Sequence, residues 1–184
     1  MEKFSIKKVY VILRGPFQKV PWRKVVCNNF GAAKWIFILR LIICEKLLTR
    51  DRLATWGITE DTICPLCNHE DESIAHLFFK CVVSSAIWKK SLSWQGIARS
   101  PMEWQSELQW VLTYSKGNSS ASEIYWMCLA GTAYQIWKER NTRVFQQRQR
   151  SIEAMVKQIV QEVHGRGATR LRLKQKLDSM NFYP

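Results

Sequence analysis

The chain has 184 residues, 47% of them hydrophobic, with 28 Lys/Arg against 15 Asp/Glu and a formal net charge of +13. That apolar fraction is enough for a real core and excludes a disordered chain. The most apolar run, residues 35–44 with Arg40 inside it, falls well short of the ~20 residues that span a bilayer. The charge favours a polyanionic partner, nucleic acid first, with an acidic membrane surface or protein behind it.

In chain order, residues 4–13 form an opening element, a strand or a short helix, broken by Gly15-Pro16. Pro21 suits the start of a helix through Val25 and Val26. Residues 32–47 read as a buried helix, with Trp35, Ile36, Leu39, Ile42, Ile43 and Leu47 near helical spacing. Thr49 is a candidate N-cap for a short helix to Trp56, and Gly57 fits the position just past its end. After an acidic loop, residues 82–92 form another helix with Val83, Ile87 and Trp88 on one side. Residues 93–122 are mixed, and the Ser-rich stretch 116–122 reads as a linker. Residues 123–145 form a long helix, with Ser122 as its candidate cap. Ser151 caps the next helix, whose stripe is Ile152, Val156, Ile159 and Val163, and Gly165 and Gly167 are expected to break it. A last helical piece spans 173–180. The fold class is therefore mainly α, divided into a zinc-stabilised domain over 1–112 (zinc loop 57–85), a linker over 113–122 and a basic helical region over 123–184.

Three of the six Cys cluster with a His as C-x2-C-x8-H-x4-C: Cys64, Cys67, His76 and Cys81. Two thiolates two residues apart grip one ion from a tight turn, and a later His and Cys complete a tetrahedron. Soft thiolates select Zn²⁺ over hard cations. Four protein ligands leave no position for an activating water, so the expected cofactor is one structural zinc. His69 is a rival to His76, but it follows Cys67 by only two residues, where closing the same tetrahedron is strained. Cys27, Cys44 and Cys128 lie in apolar settings and read as packing residues. Metal ligation by thiols and the absence of a secretory signal pattern at Met1 point to a reducing intracellular compartment, nucleus or cytoplasm ahead of an organelle.

These residues and their surroundings resemble the zinc-binding reverse-transcriptase-associated (CCHC) domain found in the polyproteins of plant LINE-type, non-LTR retrotransposons. The resemblance rests on Lys3-Phe4-Ser5-Ile6-Lys7, Pro21-Trp22-Arg23, Lys34-Trp35-Ile36-Phe37, Leu48-Thr49-Arg50-Asp51-Arg52-Leu53, Cys64-Pro65-Leu66-Cys67, the run from Glu72 through His76 to Cys81, and Ile87-Trp88. Ile136-Trp137-Lys138-Glu139-Arg140-Asn141 and the terminal tail also look like the end of such elements. The resemblance implies the same four zinc ligands and a role in holding RNA or DNA for reverse transcription. The sequence shows no polymerase aspartate pair, so the chain reads as an excised module or a free-standing descendant of one.

Charge is distributed unevenly. Residues 1–52 carry 12 Lys/Arg against 3 acids, 53–79 carry none against 5, and 138–184 carry 11 against 4. The zinc loop is thus acidic and repels phosphate, which makes it scaffolding and moves nucleic-acid contacts to the flanks. The candidate contact residues are Arg23 and Lys24 in the first basic zone, and Arg140, Arg143, Arg148, Arg150, Arg170, Arg172, Lys174 and Lys176 in the second. Lys7, Lys8, Lys19, Arg50, Arg52 and Arg166 extend the two zones, and Arg50 and Arg52 are also positioned to pair with the acidic loop. Trp22 is the candidate stacking residue, while Trp35, Trp88 and Trp137 read as core. The expected function is non-catalytic binding of RNA or DNA with little sequence specificity. The alternative is a scaffold subunit docking an acidic protein or ribonucleoprotein.

Overall fold

The computed structural model describes residues 5–15, 20–27, 29–115 and 119–180. Among them the chain forms nine α-helices: α1 Ile6–Arg14, α2 Arg23–Cys27, α3 Ala33–Ile43, α4 Arg50–Thr55, α5 Val82–Trp94, α6 Trp104–Tyr114, α7 Ser120–Gln146, α8 Ile152–Gly167 and α9 Leu171–Asp178. The only β pairing among these residues is an isolated bridge between Ile63 and Asp71. The mainly α expectation is met.

The architecture follows from α7. Its residues 123–133 are buried on every side, as a helix must be when apolar residues surround it rather than lining one stripe. α3 and α8 lie along it, α5 packs on α8, and α9 closes across α7 and α8. Trp35, Leu39 and Ile42 of α3, Ile87 and Trp88 of α5, Met127 of α7 and Ile159 of α8 all belong to one core. This core draws on residues from both sides of the expected linker 113–122. The C-terminal helices complete the hydrophobic interior that the N-terminal helices begin. Lys116, Gly117 and Asn118 of the expected linker lie outside the described residues.

Local signals account for most boundaries. Ser151 caps α8 by accepting from the Ala154 N–H at 3.1 Å, and Ser119, rather than Ser122, caps α7 by accepting from the Ser122 N–H at 3.2 Å. Thr49 precedes α4, but its side chain makes no capping bond. The opening element is a helix, and α1 buries none of its residues. α8 runs through Gly165 to Gly167 without breaking. Gly167 packs closely against α9: a Cβ there would lie 2.1 Å from Leu177 Cδ1 and force that side chain to shift. α6 falls in the stretch that the sequence left mixed. Its inward positions include Glu107, which interrupts the apolar stripe that would have marked it. Glu107 is buried and takes a two-pronged pair from Arg99 (both 2.7 Å), with the Tyr125 hydroxyl donating to it at 3.1 Å.

The candidate metal centre and the basic side chains around it

The zinc loop is built as two short arms. On the first, Cys64 donates its N–H to the Glu70 carbonyl and Glu72 donates to Thr62 (both 2.7 Å), while Asn68 turns the chain with a positive φ of 57° and donates to the Cys64 carbonyl at 2.8 Å. This tight return puts Cys64 and Cys67 on one side. The second arm is His76–Lys80, which is not a regular helix, because Phe79 sits at φ 83°. That conformation is costly for a residue with a Cβ. It is held by burial: the Phe79 ring stacks on Trp88 at 5.2 Å, and its N–H donates to the Ser84 hydroxyl at 3.1 Å. The bend swings the chain so that Cys81 opens α5 and faces His76.

Four ligand atoms, from Cys64, Cys67, His76 and Cys81, lie within 4.8 Å of one another. Sulfurs around one tetrahedral zinc at a Zn–S distance of ~2.3 Å would be about 3.8 Å apart, so the cluster fits that ion. The imidazole is oriented for ligation. Its Nε2 lies 3.4 Å from Cys67 Sγ, and its Nδ1 faces the Glu70 carboxylate at 3.3 Å. A carboxylate behind the second ring nitrogen is the usual support for a metal-bound His. His69, the rival, is exposed and outside the cluster.

The shared hydrogen bond between Cys64 and Cys81 raises the Cys64 pKa, with burial adding to it, and lowers that of Cys81. Backbone N–H groups of Leu66 and Cys67 face Cys64, and those of Val83 and Ser84 in the first turn of α5 face Cys81, each favouring thiolate. Three sulfurs this close cannot all ionise without a cation between them. The site takes one Zn²⁺ with all four positions filled by protein, and the zinc is structural. Of the other cysteines, Cys128 is buried and its thiol is pushed up to about 12 by desolvation. Cys27 and Cys44 are exposed, not packed as their apolar neighbours led us to expect.

The second basic zone divides in two. Arg140 is only 3% exposed. Its Nε and Nη2 donate to the two carboxylate oxygens of Glu72, both at 2.8 Å, and the Arg50 N–H donates to the same carboxylate at 2.8 Å. Arg143 donates to the Leu66 carbonyl at 2.8 Å, to the Pro65 carbonyl at 3.3 Å and to the Glu139 carboxylate at 3.0 Å. Arg150 donates to Glu139 from both its backbone and its side chain, each at 2.9 Å. Burial raises the Glu139 pKa, but the donors from Arg150 and Arg143 outweigh it and hold the carboxyl below its ordinary value. Arg140, Arg143 and Arg150 thus serve the interior, and Arg140 has no surface to offer a phosphate. Sequence distance hid two of these pairs, since Glu72 sits 68 residues from Arg140 and Glu139 sits 11 from Arg150, whereas Glu139 and Arg143 are an i,i+4 pair that helical spacing makes legible.

Arg148, Arg166, Arg170, Arg172, Lys174 and Lys176 are exposed. Arg172 pairs with Glu123, and Arg170 lies over the Phe30 ring with its Cζ 3.4 Å from the centroid. In the first zone Arg23 and Lys24 are exposed on α2, and Arg50 pairs with Asp61 of the acidic loop. Lys19 lies outside the described residues. Trp22 and Trp137 are half-buried against the core, while Trp35 and Trp88 are inside it.

Fold and site together define a helical protein organised by a closed Cys3His zinc clasp. Residues 4–88 match the family model described as zinc-binding in reverse transcriptase. With the four-ligand cluster inside that span, these residues carry a zinc-binding reverse-transcriptase-associated domain. α6 to α9 lie beyond the match. No curated protein and no solved structure matches the chain. No helix among the described residues is long and apolar enough to cross a membrane.

Proposed function

We propose that this chain is a non-catalytic nucleic-acid-binding module derived from a LINE-type reverse-transcriptase protein, and that it holds RNA or DNA backbone on the basic face formed by the end of α8 and by α9. The observation carrying this reading is the division among the arginines. Each internal ion pair removes one charge of either sign, so pairing leaves the excess of +13 untouched and moves it to exposed side chains. Arg166, Arg170, Lys174 and Lys176 are exposed within eleven positions of one another. Leu173 and Leu177 anchor α9 to the core and turn its charged positions outward. The contact of Arg170 with Phe30 brings this face next to the loop after α2. A pocket of about 400 Å³ opens beside it between α3 and α8, lined by Lys34, Arg166 and Thr169 together with Glu162. Exposed cations without base-reading geometry grip phosphate and read little sequence.

The test is affinity for a random single-stranded oligonucleotide against salt. Log K should fall linearly with log salt, and replacing Arg166, Arg170, Lys174 and Lys176 together by Gln should lessen the slope by about 3, at ~0.7 per phosphate contact on a single strand. No measurable binding at low salt, or an unchanged slope, would favour the scaffold reading. That second reading has one observation in its favour, the exposed Ile6, Tyr10, Ile12 and Leu13 of α1.

A further inference from the structure

Arg143 stands on α7, 55 positions past the end of the family match at residue 88, yet it touches the zinc knuckle. Its Nη1 donates to the carbonyls of Pro65 and Leu66, the two residues between Cys64 and Cys67. In a trans peptide the C=O and the N–H of one unit point in opposite directions. The unit whose oxygen belongs to Pro65 carries the Leu66 N–H, and the unit whose oxygen belongs to Leu66 carries the Cys67 N–H. Those two N–H groups face the Cys64 sulfur. The guanidinium therefore lies at the back of both peptide units whose fronts meet the metal ligand.

From this geometry we propose that Arg143 is a positioning residue of the zinc site, holding and polarising the Pro65–Leu66–Cys67 peptides against the Cys64 thiolate. Two facts give the arrangement its force. Zinc with three thiolates and a neutral imidazole carries a net negative charge, and Cys64 and Cys81 are fully buried, so that charge needs a nearby compensating cation or dipole. The guanidinium is also fixed from behind: Glu139, fully buried, accepts from Arg143 Nε at 3.0 Å and is itself held by Arg150. The chain Arg150, Glu139, Arg143, knuckle peptides and Cys64 runs from the C-terminal helices to the metal, so a segment beyond the recognised domain completes the domain's metal site.

Zinc affinity of the full chain, measured by competition with a chromophoric chelator, tests the proposal. Arg143→Ala should bind zinc about 10–100-fold more weakly, the range seen when outer-shell partners of metal ligands are removed. Arg143→Lys keeps the charge without the fork and should fall between Ala and wild type, while Lys157→Ala, at an exposed position of α8, should match wild type. Cobalt substituted for zinc gives the second readout. Losing polarised N–H groups raises electron density on sulfur, so the thiolate-to-cobalt charge-transfer band of Arg143→Ala should move to longer wavelength. Should Arg143→Ala fail to fold, Arg143→Gln, which retains one donor and loses the charge, carries both measurements. Affinity within twofold of wild type, or weakened affinity with an unmoved cobalt band, would overturn the proposal.

Discussion

At the scale of single residues, the recurring device is a buried glutamate met by arginine. Glu72 with Arg140, Glu107 with Arg99 and Glu139 with Arg143 and Arg150 are each fully buried on the acid side. The first joins the zinc loop to α7, since Glu72 also accepts the Arg50 N–H at the start of α4. Removing one member of such a pair leaves the other charge buried and uncompensated, which costs about 3–5 kcal/mol. Arg140→Ala should therefore lower the unfolding free energy by about that amount in urea titration while leaving nucleic-acid affinity of the folded protein near wild type. A stable Arg140→Ala protein with weakened binding would return Arg140 to the contact surface. These pairs also explain where sequence reading stops. The zinc ligands were legible because their chemistry is packed into one short spacing. A buried Arg–Glu pair that is distant in sequence, as Arg140 with Glu72 is, has no local signature, and an arginine inside the fold reads like one outside it.

At the scale of elements, helices with an unbroken apolar stripe were visible in advance, as α3, α7 and α8 were, and the exceptions have specific causes. α6 was hidden by Glu107 on its inward face. Gly167 suggested a break and instead makes room for Leu177. α1 is the opposite case, an amphipathic helix with no buried residue. A helix that buries nothing contributes little to folding, and changes at such positions stay within about 0.5 kcal/mol. Deleting residues 1–15 should leave the thermal midpoint and the zinc content of the remaining chain essentially unchanged. A drop of several degrees would show that α1 packs on the body in solution.

At the scale of the whole molecule, one cluster of buried residues draws on both the expected zinc domain and the expected basic region, with the metal loop seated on α7. The reason is again packing: α7 is too apolar on all sides to stand apart from α3 and α5. Zinc binding in small fingers is worth ~10–16 kcal/mol and is inseparable from their folding. Here the core extends beyond the metal loop into α3, α7 and α8, so the ion is expected to govern a region rather than the chain. Sequence spacing alone confines that region to about residues 57–85. Arg140 and Arg143 extend it to the last two turns of α7, which they tie to Glu72 and to the knuckle carbonyls. Amide hydrogen exchange of the zinc-loaded chain, before and after chelation, tests this most directly. Protection should be lost across residues 57–85 and 139–146 and kept in α3 and in residues 123–133. Unchanged protection in the zinc loop after the metal is removed would contradict a structural zinc clasp.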